Sequence, residues 1–124
     1  MMPISFADYP YPNQVLVLVS GETSMQEMMN VIIATRSGEQ RTSAFLFDVS
    51  AAKVDLSGDQ VRQLAAFTAE EARKSPMGPV AFISTDPATF GLSRMYQAYS
   101  ASEGRKNVGV FRTLADAQAW LARV

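Results

Sequence analysis

Chemistry in this protein has to come from carboxylates, hydroxyls and arginines, because the chain contains no cysteine and no histidine. Those two absences remove thiol nucleophiles, disulfides, iron–sulfur clusters and Cys/His zinc sites. They also remove every mechanism that needs an imidazole base, Ser-His-Asp and Cys-His arrangements included. Among the carboxylates, Asp48 follows the apolar run Ala44-Phe45-Leu46-Phe47. That places it at the carboxyl end of a strand, where open α/β sheets bind their ligands. A phospho-acceptor aspartate would sit in such a place, but it needs an acidic pair for Mg²⁺ and a nearby lysine. Only Glu22 stands at the end of the preceding strand. Asp55 and Asp59 precede and open a helix, where negative charge complements the helix dipole. Capping and loop hydrogen bonding account for these residues, so neither a metal nor a cofactor is expected.

Two further candidates are not carboxylates. Ser57 opens Ser57-Gly58-Asp59-Gln60, a capping box in which the serine oxygen accepts from an orphan N–H and Gln60 reaches back. A phosphate on that serine would also be stabilised by the helix N-terminus, making it a charge switch. Arg94 stands four residues after Phe90 on the same helical face, and together they form a candidate contact for an anion or a carboxylate. The alternative is a surface arginine stacked on Phe90. Gly91 between them costs a helix about 1 kcal/mol against alanine, which suggests close approach by something at that point. No G-x-G-x-x-G and no G-x-x-x-x-G-K-[ST] occurs, and the turn Ser20-Gly21-Glu22-Thr23 carries an acid that would repel a pyrophosphate.

The elements that must hold these residues are legible in the apolar pattern. Residues 4–9 alternate as a half-buried edge strand, and Tyr9-Pro10-Tyr11-Pro12-Asn13 turns the chain. Val15-Leu16-Val17-Leu18-Val19 is a strand buried on both faces. A first capping box at Ser24 to Glu27 opens a helix with Met25, Met28, Met29 and Ile32 on its inner face, and Gly38 is its expected stop. After the strand at 44–49, the helix from Ser57 buries Val61, Leu64, Ala65, Thr68 and Ala72, and Pro76 ends it. Val80-Ala81-Phe82-Ile83 is a strand, and Asp86-Pro87 caps a helix with a stripe of Leu92, Met95, Tyr96 and Tyr99. Val108-Gly109-Val110-Phe111 is the last strand, and Thr113 to Asp116 is a third capping-box match before Ala117, Trp120, Leu121 and Val124. The order ββαβαβαβα predicts one α/β domain with a mostly parallel five-stranded sheet and an antiparallel N-terminal edge hairpin.

The chain has 124 residues, 11 basic and 12 acidic, for a net charge of −1. It therefore shows no basic footprint for nucleic acid and no polybasic patch for anionic lipid. The first basic residue is Arg36, so no positive segment precedes an apolar stretch, and the aliphatic runs are too short to span a bilayer. A cytoplasmic, non-enzymatic protein is the expectation.

Residues 44–64 read Ala-Phe-Leu-Phe-Asp-Val-Ser-Ala-Ala-Lys-Val-Asp-Leu-Ser-Gly-Asp-Gln-Val-Arg-Gln-Leu. This resembles the centre of STAS domains, the anti-sigma-factor antagonist family typified by SpoIIAA, where a strand ends in an aspartate and an Asp-Ser-Ser-Gly motif opens a helix. The later segments, from Phe90 to Tyr96 and from Val110 through Trp120, resemble a SpoIIAA-like branch of small bacterial proteins related to CRAL-TRIO lipid carriers. The resemblance implies a SpoIIAA-like βα fold. It also implies a protein partner, with Asp48, Asp55, Ser57 and Gly58 as the matching site residues and Ser57 at the phosphorylated position. Leu56 replaces the family's first serine, and the interval from Asp48 to Asp55 is one residue short. The leading expectation is an interaction module whose partner surface is the loop at 50–57 with the first turn after it. A homodimer contact is expected through apolar residues such as Phe67, which lies off the inner stripe. The alternative is a carrier or sensor of an apolar, lipid-like molecule, with Met25, Met28, Met29 and Met95 lining its pocket.

Overall fold

The computed structural model describes residues 4–7, 11, 13–37 and 42–124. The elements are β1 (Ile4–Ala7), β2 (Gln14–Thr23), α1 (Met25–Thr35), β3 (Ala44–Val54), α2 (Gly58–Lys74), β4 (Val80–Ile83), α3 (Pro87–Ser102), β5 (Val108–Phe111) and α4 (Leu114–Leu121). The strands lie in the sheet in chain order. β1 is antiparallel to β2 and every later pair is parallel, so α1, α2 and α3 are crossovers returning the chain to the start of the next strand. This is the architecture expected from the element order. The turn at Tyr9-Pro10 and Pro12, the end of the first expected strand, and the helix stop at Gly38 lie outside the described residues.

Alternation along the strands builds two apolar faces. On one, Val17, Val19, Phe45, Phe47 and Val49 meet Val31 of α1, and α1, α2 and α3 close over them with Ile32, Leu64, Ala65 and Tyr96. On the other, Leu46, Ala81 and Ile83 pack against Ala117 and Leu121 of α4. Leu46 is fully buried because β3 and β4 are covered on both sides. Phe67 is half-buried and packs against the cluster under α2, so it is not the free apolar surface expected of it.

β2 and β3 run further than their apolar stretches. Ser20 to Thr23, expected as a turn, is strand, paired with Ala51 to Val54 beyond a register shift at Leu18/Ser20. Gly21, at φ 79°, takes the left-handed conformation that the bend requires. The stretch expected as a partner loop at 50–57 is therefore mostly strand, and only Asp55, Leu56 and Ser57 link β3 to α2.

The caps at Ser24 and Ser57 are reciprocal, as their sequences predict. At Thr113 the hydroxyl accepts from the Asp116 N–H at 3.1 Å. α3 turns Leu92, Tyr96 and Tyr99 of its expected stripe inward, but Thr89, Ser93 and Ser100 are buried beside them and Met95 is 36% exposed. The Ser93 hydroxyl donates to the Thr89 carbonyl at 2.9 Å, so a small polar residue can face inward without an unmet hydrogen bond and let the helix lie close. Arg36, to which the sequence assigned no role, joins the ends of α1 and α2 by donating to the Glu71 and Ser75 carbonyls at 2.7 and 3.0 Å.

Two predictions follow from this packing. A Cβ on Gly78 would fall inside contact distance of the Thr42 and Ser43 carbonyl oxygens, so the link before β4 presses on the start of β3. Gly78→Ala is expected to cost about 1–3 kcal/mol, read as a lower urea midpoint with an unchanged slope. Asp86 caps α3 by accepting from the Thr89 N–H at 2.9 Å and the Thr89 hydroxyl at 3.0 Å, and these bonds hold its carboxyl below the usual range. A depressed folded pKa means that its contribution is complete above the unfolded pKa and is lost as pH falls through the folded one. Asp86→Asn, which still caps, should flatten that acid-side loss in a pH series of melting temperatures by lowering stability at neutral pH towards its acid value.

Candidate functional site

The link from β3 to α2 is held at both ends. The Asp55 N–H donates to the Thr23 carbonyl at 3.4 Å, and Leu56 packs into the cluster beneath α2. Ser57 then takes an extended conformation. Its Oγ accepts from the Gln60 N–H at 3.2 Å, and its N–H donates to Gln60 Oε1 at 2.9 Å. The Ser57 side chain is exposed and the cap fixes its place at the start of a 17-residue helix. Gly58 fits because the helix start lies against α3, where a Cβ would come within 3.2 Å of the Met95 Cε.

The charge around this link is acidic. A groove of about 500 Å³ beside it is bordered by Glu22, Glu27, Asp55 and Lys53. Asp59 pairs with Arg62 at 3.0 Å, but both side chains are more than 60% exposed, so the pair is worth little. The Ser57 hydroxyl is engaged by a backbone amide, and among the described residues no basic side chain bonds to it. Among the described residues no group of three acidic side chains is placed to hold a metal.

The other expected site residues fall elsewhere. Asp48 is the fifth residue of an eleven-residue strand, so it is not at the strand's end. Its Oδ1 accepts from the Ser50 N–H at 3.0 Å, which secures the backbone at the register shift. By alternation it shares the sheet face of Leu46, opposite α2, and it opens onto a separate concavity with Ser5, Leu18 and Ser20. The structure thus groups Asp55, Ser57 and Gly58 and leaves Asp48 apart. Phe90 and Arg94 have different neighbours. The cation over the Phe90 ring is the guanidinium of Arg112, 4.0 Å from the centroid. A Cβ on Gly91 would meet nothing within 4 Å, so no close approach explains that glycine.

Arg94 instead borders a groove with Arg105 and Lys106, two residues that the sequence reading passed over. Their adjacency after Gly104 was the available signal, but a basic pair in a linker reads as solvated surface until its burial is known. Met25, Met28 and Met29 pack against the core, and the two apolar cavities lined by Met28 hold only about 30 and 40 Å³. That is water-sized space, well under the roughly 300–1,000 Å³ of small-molecule pockets.

No protein-family model and no curated protein matches this sequence. Solved structures do match its fold. An anti-sigma factor antagonist from Mycobacterium paratuberculosis aligns over 94% of this chain and 92% of its own, at 23% identity and a TM-score of 0.56. An uncharacterised protein with a SpoIIAA-like fold from Shewanella loihica aligns over 98% and 95%, at 14% identity and a TM-score of 0.58. The chain therefore has the SpoIIAA-like fold, with the mixed sheet and alternating strands and helices that define it.

Ser57→Ala should cost about 0.5–2 kcal/mol in denaturant unfolding through loss of the cap. Ser57→Asp, an equally good capping residue, should leave stability near that of the parent chain.

Proposed function

We propose that this chain is a non-enzymatic regulatory domain that binds a protein partner through the start of α2, with Ser57 as the residue that sets its affinity. The observation that carries this reading is the exposed Ser57 hydroxyl, held in a reciprocal cap at a helix N-terminus. The SpoIIAA-like fold supports it, since one structural neighbour is an anti-sigma factor antagonist, a protein defined by acting on another protein. The contact surface is smaller than the sequence suggests: Asp55, Leu56, Ser57 and the first turn of α2, flanked by the acidic groove of Glu22 and Glu27. A partner presenting basic groups complements that charge. Phosphorylation of Ser57 keeps the helix capped and places a dianion beside Asp55 and Asp59, adding charge to a face already acidic.

In this reading residues 1–124 act as one domain in the cytoplasm and self-associate. The edge strand β1, with Phe6 56% exposed, offers more apolar contact than Phe67 does. Among the described residues no helix is long and apolar enough to cross a membrane.

The test compares two capping residues that differ only in charge. Once a partner is captured from the host and its complex reconstituted, Ser57→Asn should bind it nearly as well as the parent chain. Ser57→Asp should bind about tenfold more weakly by titration calorimetry. Equal affinity for the two variants removes Ser57 from the interface. A native mass spectrum of the protein from its own host, showing one added phosphate that maps to Ser57, would identify the modification that the aspartate mimics.

A further inference from the structure

We infer that the protein partner inserts one branched aliphatic side chain, a leucine or valine carried in a basic segment, into an apolar crevice beneath the start of α2. The inference rests on the Ser57 reading and gives that partner its chemistry. The crevice lies at the carboxyl end of the sheet, where α2 and α3 begin. Val61 and Leu64 of α2 bound it on one side and Thr89 and Leu92 of α3 on another. It is open to solvent and includes the half-buried Val54 and Leu56, which flank Asp55 in the link. Val54 also borders the groove of Glu22, Glu27 and Asp55, so crevice and groove form one continuous surface.

The three polar side chains that line the crevice are already engaged. The Thr89 hydroxyl donates to Asp86 Oδ2 at 3.0 Å, and the Ser93 hydroxyl donates to the Thr89 carbonyl at 2.9 Å. The Tyr96 hydroxyl accepts from Arg105 at 3.2 Å. A polar occupant would leave its own hydrogen bonds unmet there, so the occupant is hydrocarbon. The space measures about 40 Å³. One water needs about 10–15 Å³ of such space, so about three heavy atoms fit. That is too little for a free ligand or an aromatic ring, and it matches the branched end of a leucine or valine. An unfilled apolar hollow forgoes packing contacts, and a partner side chain that fills it regains them at the centre of the interface. The segment carrying that side chain is basic, because the adjoining groove sets Glu22, Glu27 and Asp55 against Lys53.

The probe is the peptide Arg-Lys-Leu-Lys-Arg, acetylated and amidated at its ends, titrated into the full chain and followed by methyl NMR. The expected result is a saturable shift of the Met28, Val54, Leu56 and Leu92 methyl signals. Alanine in place of the peptide's leucine should weaken binding about tenfold. Added salt should weaken both peptides alike and leave their ratio unchanged. Leu92→Ala enlarges the hollow and should move the preference at the peptide's centre from leucine towards phenylalanine, a ratio read within one variant and so unaffected by its stability. Equal binding of the leucine and alanine peptides overturns the inserted side chain and leaves a basic partner at the acidic groove, as the Ser57 reading has it. Binding by neither peptide overturns the inference as a whole, while the Ser57 reading is still decided by its own asparagine and aspartate comparison.

Discussion

Phe47 stacks on Phe82 across the β3–β4 pair with ring centroids 5.5 Å apart, and the layer of α1, α2 and α3 is built on that contact. Phe45 extends the stack at 6.0 Å and Tyr96 closes it edge-on at 5.3 Å, so one aromatic run reaches from the sheet into α3. Rings of this size bury large apolar areas while allowing little sliding, which fixes the height of α3 above the sheet. α3 in turn lies against the start of α2 through Met95 and Gly58. The far end of Tyr96 meets Arg105. The capped serine and the apolar crevice beneath α2 are thus positioned by the same core.

The elements with strong apolar periodicity and good caps were legible in the sequence because local chemistry and tertiary packing agree there. Ser57-Gly58-Asp59-Gln60 specifies both the start of α2 and the exposure of the serine, and the structure realises it bond for bond. The far halves of β2 and β3 were hidden. Ser20-Gly21-Glu22 and Ser50-Ala51-Ala52-Lys53 are small or polar, so periodicity stops where ladder pairing continues. With that, Asp48 moved from a strand end to a strand interior.

Side-chain partnerships across the fold were the other gap. Four-residue spacing places Arg94 near Phe90, but Arg112, from beyond β5, lies over the ring, a contact that no single helix reveals. Likewise the inward face of α3 carries Thr89 and Ser93, because hydroxyls bonded to their own helix tolerate burial that hydropathy alone would not assign them. The composition was more informative about what is missing than about what is present. Without imidazole or thiol, the remaining chemistry is charge placement, and that is what the acidic surface beside Ser57 displays.

The unequal strand lengths have a mechanical consequence. β4 pairs with β3 as far as Asp48, so among the described residues Ala51 to Val54 have β2 as their sole ladder neighbour. A two-stranded ribbon is marginal by itself, and this one holds because Thr23 and Ala52 are buried and Ala52 and Val54 pack into the core cluster beneath α1. The link bearing Asp55 and Ser57 is anchored to the tip of that ribbon. Under the proposed function, a partner that grips the link therefore bears on a ribbon whose position is set by that packing. Affinity at this surface is then tunable by substitutions along the ribbon that never touch the partner, with glycine at position 21 the natural point of adjustment.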